Sequence, residues 1–336
     1  MTEQKLQWED PTWRRDVEAW IESQANKHNI KITGPIEQPH MYAWSTVMRV
    51  PTSEGTLFFK ATAAETIYEA ALTQKLAGWY PDRLPELIAV DTSRGWMLMR
   101  DGGARLRDSI RPTKDISHWN KVVPLFSELQ LNSSQHVDEL LSLGLPDWRL
   151  ARLPELYDQL LADKEATRVD QPKGLTSEEF ALVQSLASRF TQICKDLAAF
   201  GLPETVNHGD FHDGNVLVKE GRITLFDWGD GNISHPFTSL RTFFVSIEIS
   251  LELEDYSFTP EMQALLEIYL QPWIKFASKE KLVEAYFLSR CVSSIVKALG
   301  WHQTVKSLKS PLREEYEHIV PELFREFVEY EKKLAS

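Results

Sequence analysis

The chain has 336 residues, 43% of them hydrophobic and 26% charged, values that support a full globular core in one large two-lobed unit or roughly two domains. A formal net charge of -12 argues against a general nucleic-acid binder, whose affinity comes from basic residues meeting phosphates. Cys194 and Cys291 stand far apart without C-x-x-C spacing, which argues against a disulfide framework or a cysteine zinc site and suits a reducing, cytoplasmic compartment.

At the N-terminus, "MTEQKLQWEDPTWRRDVEAW" lacks the apolar core of a signal peptide and reads as an amphipathic helix. No window approaches the ~18 apolar residues that a membrane span requires. "KITGPIEQPHMYAWSTVMRVPTSEGTLFFKA" is rich in β-branched and aromatic residues and broken by "TGP" and "TSEGT". It predicts two or three antiparallel strands ending in "TLFFKA". "AAETIYEAALTQKLAGWYP" predicts a helix stopped near Gly78 and Pro81. "LPELIAVD" and "GWMLMR" predict two more strands, closed by "DGGARLRD" with its paired glycines. Beyond Asp108 the pattern is helical, and the only later strand signals are "NVLV" and "ITLFDW", a small hairpin around "KEGR" set in the helical region. The expected architecture is a small α+β lobe followed by a large helical one.

The run "VNHGDFHDGNVLV", Val206 to Val218, concentrates His208, Asp210, His212, Asp213 and Asn215. Its His-to-Asp and Asp-to-Asn spacings are those of the kinase catalytic loop H-R-D-x-x-x-x-N, with Gly209 in place of the arginine. Twelve residues after Asn215, Asp227-Trp228-Gly229 has the form of the kinase Asp-Phe-Gly element. Magnesium takes hard oxygen ligands and keeps several waters, so one carboxylate and one amide oxygen serve it better than a closed cage. A further carboxylate near an acceptor hydroxyl can orient it and accept its proton. Such chemistry also asks for a strand lysine on the phosphates and a helix glutamate paired with it. Lys60 ends an apolar strand, and Glu65 and Glu69, one turn apart, fall on the helical face of Tyr68, Leu72, Leu76 and Trp79. Acids on an apolar face need a partner. Lys60 is the evident one, and Glu69 is preferred to Glu65.

"VNHGDFHDGNVLV" followed by "FDWGDG" resembles the aminoglycoside phosphotransferase family, relatives of the choline and homoserine kinases. The resemblance extends over most of the chain. "WSTVMRVPTSEGTLFFKA" is similar to the family's nucleotide-covering hairpin and lysine strand, "YEAALTQKLAGWYPDRLPELIAVD" to its glutamate helix and following strand, and "GWMLMRDGG" to its hinge. The resemblance implies a bilobal protein-kinase-like α+β fold, with a small antiparallel-sheet N-lobe over residues 1–101 and a mainly helical C-lobe over 102–336. It implies Asp210 as catalytic base, Asn215 and Asp227 on Mg2+, Lys60 on the nucleotide phosphates with Glu69 behind it, and Met99, Arg100 and Asp101 bordering the adenine of ATP. Two departures stand out. His235-Pro236 replaces the family's Gly-Asp-Pro, with Ser239 at the place of a further Asp, and the loop near "QPHMYAWS" has no G-x-G-x-x-G.

His208 and His212 invite a zinc reading. Gly209 and Gly214 work against a regular helix there and no third ligand has a clear spacing, so His208 is read as a packed residue bracing the loop. Asp213 reads as loop surface, and Asp230 as an aid to a second metal or a turn cap. The acidic run "IEISLELEDY" reads first as a solvated helix face and second as an attractor of a cationic substrate. The expected function is ATP- and Mg2+-dependent phosphoryl transfer to a hydroxyl of a small molecule. The alternatives are a non-catalytic nucleotide-binding or regulatory module of this fold and, among enzymes, an amino-alcohol or sugar kinase in place of an antibiotic kinase.

Overall fold

The structure is a computed structural model that describes residues 6–335; residues 1–5, the start of the segment read as an amphipathic helix, lie outside the described residues. In chain order, α1 (Pro11–Lys27) is followed by β1 (Glu37–Met41), β2 (Ser45–Thr52), β3 (Gly55–Thr62), α2 (Tyr68–Trp79), β4 (Leu87–Asp91), β5 (Trp96–Arg100) and the short β6 (Ala104–Arg105). Next come α3 (Arg107–Thr113), α4 (Trp119–Ser133), α5 (Val137–Ser142), α6 (Leu153–Ala162), α7 (Lys164–Thr167), α8 (Ser177–Ser185) and α9 (Ala187–Ala198). The short strands β7 (Thr205–Asn207), β8 (Val216–Lys219), β9 (Arg222–Leu225) and β10 (Asn232–Ser234) interrupt the helices. They resume as α10 (Leu240–Leu251), α11 (Pro260–Leu270), α12 (Lys279–Ser307), α13 (Leu312–Tyr316) and α14 (Ile319–Ala335). The chain divides into two compact units. The first comprises residues up to Asp108 together with Gly214–Gly229; the second comprises Ser109–Asp213 and the chain from Asp230 onward.

In the first unit, five antiparallel strands lie in the order β1-β2-β3-β5-β4. The Asp10 carboxylate accepts from Thr12 N at 2.8 Å and Pro11 occupies the first turn, so α1 starts with its exposed N–H groups already provided for. Val17, Ile21 and Ala25, spaced four apart, bury one stripe of α1 against Met48, Val50, Leu57, Phe59 and Leu98. Trp20 meets Phe59 and Trp96 edge-on, with ring centres 5.8 and 5.6 Å apart. Strand alternation then assigns Leu57, Phe59 and Ala61 to the α1 side and Lys60 to the other. Helix α2 begins later than the sequence pattern predicts: Ala64–Thr66 form a 3-10 turn, which leaves Glu65 exposed.

The β8–β9 hairpin, which the sequence sets among the helices, packs with this first unit; β6 joins it to make a three-stranded antiparallel sheet. A glycine is required where β6 approaches it. Gly103 has φ +101°, and a Cβ there would lie 2.3 Å from the Val218 carbonyl oxygen.

The second unit is built on α12, 29 residues long, which packs against α14, α9 and α6. It also contains a two-stranded pairing of β7 with β10 that the sequence reading missed. Three-residue strands are too short to show an alternating pattern. Phe211 anchors the loop after β7: fully buried, it stacks on Phe126 with centres 4.0 Å apart and on Phe243 at 5.5 Å, and meets Trp119 edge-on at 5.4 Å. Two residues earlier, Gly209 has φ +72°, and a Cβ would lie 2.1 Å from the Asp230 carbonyl oxygen. This close approach explains glycine at the place of the kinase arginine. Cys194 and Cys291 are free and buried, and burial pushes both thiols up to about 12. Among the described residues no helix is long and apolar enough to cross a membrane.

Phe211→Ala is expected to cost about 3–5 kcal/mol in a urea melt through the cavity it leaves. Gly209→Ala is expected to cost at least ~1–2 kcal/mol from its left-handed backbone, before any clash with Asp230 is counted.

Candidate active site

The residues singled out in the sequence fall into two groups, one in each unit. In the first unit, the Lys60 ammonium lies 2.6 Å from Glu69 Oε1 and 2.5 Å from Asp227 Oδ1. Burial alone would lower the Lys60 ammonium, but Asp227 and Glu69 outweigh it and hold the group above its usual range, so it stays charged. Glu69 is buried on α2 beside Tyr68, whose hydroxyl donates to Gly229 O at 2.8 Å. A Cβ on Gly229 would lie 3.2 Å from Glu69 Oε2, so the glycine of Asp227-Trp228-Gly229 admits the glutamate. Asp227 itself has φ +66°, an uncommon backbone for a non-glycine residue and one found at functional sites.

Asn215 and Asp227 leave the same end of the hairpin. Val216 pairs with Leu225, and Asn215 O accepts from Phe226 N at 3.2 Å. Asp227 and Glu69 on the Lys60 ammonium leave one surplus negative charge, and Asn215 adds an amide oxygen at the same hairpin end, which together make a hard-oxygen set. That set fits Mg2+, which takes one or two protein ligands and completes its shell with water and phosphate oxygens. Among the described residues no group of three or more His, Cys, Asp or Glu side chains is arranged to hold a metal ion. Of the hinge residues, Met99 pairs in β5 with Phe58 and Leu87. Arg100 reaches Glu86 at 2.8 Å and Glu54 at 3.1 Å, and the Asp101 carboxylate accepts from Gly103 N at 3.0 Å.

In the second unit, Asp210 is held from two sides. Lys297 Nζ lies 3.1 Å from Oδ1 and His212 Nε2 lies 3.1 Å from Oδ2. Burial alone would raise the Asp210 carboxyl, yet Lys297 and His212 outweigh it and hold it well below the usual carboxylate range. Lys297 also donates to Gly209 O at 2.9 Å and to Asp230 Oδ2 at 3.0 Å. Sequence reading missed Lys297, which lies far from the motif; its one signal is a lone cation inside the buried stretch "CVSSIVKAL" of α12. His208 is buried, and its backbone N–H donates to Ser239 Oγ at 3.2 Å. Ser239 Oγ donates in turn to Asn207 Oδ1 at 2.7 Å, so Ser239 ties down the start of the loop. Gln130 completes this support by donating to Asn207 Oδ1 at 3.1 Å and to the carbonyls of Val206 and Pro236.

Two readings are corrected. Asp213 is fully buried rather than loop surface: its Oδ2 accepts from Ser250 Oγ at 3.1 Å and lies 3.4 Å from Arg111 Nε. A charge between two neutral-to-basic donors can be buried where a bare one cannot. Within the acidic run, Glu248 is buried, with burial raising it to about 7, while Glu252 is exposed and pairs with Lys114 at 2.6 Å.

The family of phosphotransferase enzymes matches residues 129–240, the segment that contains Asp210 and Asn215. No curated relative matches the chain by sequence. Among solved structures, a choline/ethanolamine kinase family protein from Mesorhizobium loti is similar over 90% of this chain and 92% of its own, with 16% identity and a TM-score of 0.59. Choline kinase LicA from Streptococcus pneumoniae is similar over 92% and 99%, with 15% identity and a TM-score of 0.56. The amicoumacin kinase hAmiN, solved with AMP-PNP, Ca2+ and Ami, is similar over 93% and 96%, with 10% identity and a TM-score of 0.56. At these identities the likeness is one of fold. The chain thus carries a phosphotransferase-family segment within a protein-kinase-like fold.

Proposed function

We propose that this phosphotransferase-family chain transfers the γ-phosphoryl group of ATP to a hydroxyl of a small molecule. The observation that carries the reading is the Lys60 ammonium held by both Glu69 and Asp227. Residues from a strand, a helix and a hairpin end, far apart in sequence, meet in the charge pattern that phosphate binding requires. Lys60 binds phosphate oxygens, and Glu69 keeps that ammonium charged and aimed. Asn215 and Asp227 would hold Mg2+, which, when bound, neutralises negative charge on the phosphate oxygens.

Asp210 orients the acceptor hydroxyl with a carboxylate one-third exposed. The acceptor oxygen bonds to the γ-phosphorus as the bond to the ADP oxygen breaks. The hydroxyl proton passes to Asp210, from which it returns to solvent. A carboxylate held at low pKa is a weak base, and this suits a loose transition state, in which the acceptor keeps its proton until late. Similarity to structures described as choline and ethanolamine kinases supports an amino-alcohol acceptor as readily as an antibiotic. Two buried free thiols suit a reducing compartment.

ADP release from Mg-ATP in the presence of choline, ethanolamine, an aminoglycoside and a sugar tests the reading; no acceptor-dependent release would defeat it. Asp210→Ala is expected to lower kcat by about 10²–10⁴-fold while ATP affinity changes little, and near-normal turnover would refute the role of Asp210. Asp227→Ala is expected to weaken Mg-ATP binding about tenfold or more in a calorimetric titration, and unchanged affinity would remove Asp227 from the metal set.

A further inference from the structure

The loop from Val206 to Val218 contains no lysine or arginine, yet its aspartate is ion-paired. The cation comes from 87 residues further along the chain. We propose that Lys297 of α12 is the positioning residue for Asp210, an assignment that rests on the phosphotransferase reading above. Its ammonium bonds Asp210 Oδ1, the carbonyl of Gly209 in the peptide link just before Asp210, and Asp230 Oδ2, at 3.1, 2.9 and 3.0 Å. Three acceptors match the three N–H bonds of a lysine, and they fix the ammonium in place.

The geometry divides the Asp210 carboxylate into two roles. Lys297 binds Oδ1, while Oδ2 faces His212 Nε2 at 3.1 Å. With Oδ1 and the Gly209 carbonyl held by one group, the carboxylate plane cannot rotate freely, and Oδ2 is the oxygen presented to an acceptor hydroxyl. Asp230, just beyond Asp227-Trp228-Gly229, is drawn to the same ammonium, and its carbonyl lies where Gly209 could bear no side chain. Lys297 therefore joins the base loop to Asp230, three residues beyond Asp227. The charged groups around Asp210 that bear on this are Lys297, His212, Asp230 and, beyond His212, Asp213 at 3.9 Å from its Nδ1. The lysine side chain is only 14% exposed. α12 is buried around it by Cys291, Val292, Ile295, Val296, Ala298 and Leu299, so the position of the ammonium follows from core packing.

The test compares the full-length chain with Lys297→Met, Lys297→Gln and Lys297→Arg. With Mg-ATP and the best acceptor among choline, ethanolamine, an aminoglycoside and a sugar, Lys297→Met and Lys297→Gln are expected to lose about 10²-fold in kcat. KM for ATP should stay within about twofold, and Lys297→Arg should recover a substantial part of the loss. The acid limb of the rate profile should move to higher pH in the uncharged variants, because a carboxylate relieved of its cation is protonated at higher pH. A purely structural lysine would lower melting temperature without that shift; equal loss in the arginine and methionine variants with an unmoved limb would overturn the proposal. Carbon-detected NMR of the Asp210 carboxyl supplies a second arm that needs no turnover. Its titration should rise in Lys297→Met and Lys297→Gln and stay low in Lys297→Arg; an unmoved titration overturns the proposal. A wild-type chain that turns over no acceptor defeats the phosphotransferase reading and leaves the NMR arm to decide the contact. If Lys297→Met fails to fold, Lys297→Gln, which keeps a donor without the charge, carries both arms.

Discussion

A buried ammonium persists in its charged form only where carboxylates surround it, since desolvation alone would strip its proton. Both candidate centres of this chain are built on that constraint. Lys60 lies between Glu69 and Asp227 in the first unit, and Lys297 lies between Asp210 and Asp230 in the second. In each, the lysine sits on a regular element, β3 or α12, whose course is fixed by core packing. Most of the acids sit on loops and are drawn to it. The rigid partner is the cation, and the motif aspartates take their positions from it.

Each cluster contains one ammonium and two carboxylates, so each keeps a surplus negative charge. In each, one acid is well exposed: Asp227 at 45% and Asp230 at 51%. Each cluster is thus satisfied by its own ammonium and still presents a carboxylate to solvent. The strand that leads into the Asp210 loop rests on neutral support. Gln130, Asn207, Ser239 and Tyr269 form a buried network whose members satisfy one another's hydrogen bonds, for example Tyr269 to Gln130 Oε1 at 2.7 Å. It is costly to disturb and carries no charge that would compete with the clusters.

The sequence was most legible where one short stretch determined the answer. The antiparallel sheet, α2, the hairpin and the pairing of Lys60 with Glu69 all follow from local pattern and from the cost of an unpaired buried acid. What could not be read depended on distant residues. Lys297 carries no motif, and only its contacts across the fold reveal it. Asp213 looks like surface until Ser250 and Arg111 come to it from other helices. β7 and β10 are three residues each and exist because they pair with one another, not because either has strand periodicity. Ser239 departs from the family pattern in the sequence, and only the fold shows what it does here: its hydroxyl accepts from the His208 backbone and donates to Asn207.

Both cysteines of the chain, Cys194 on α9 and Cys291 on α12, belong to the second unit, and both are buried away from solvent. The first unit contains none. Thiol labelling in the native protein therefore reports the opening of one unit alone, without any engineered probe. Cys291 lies six residues before Lys297 on the same helix, so its rate of labelling measures how often the scaffold that presents that lysine comes apart.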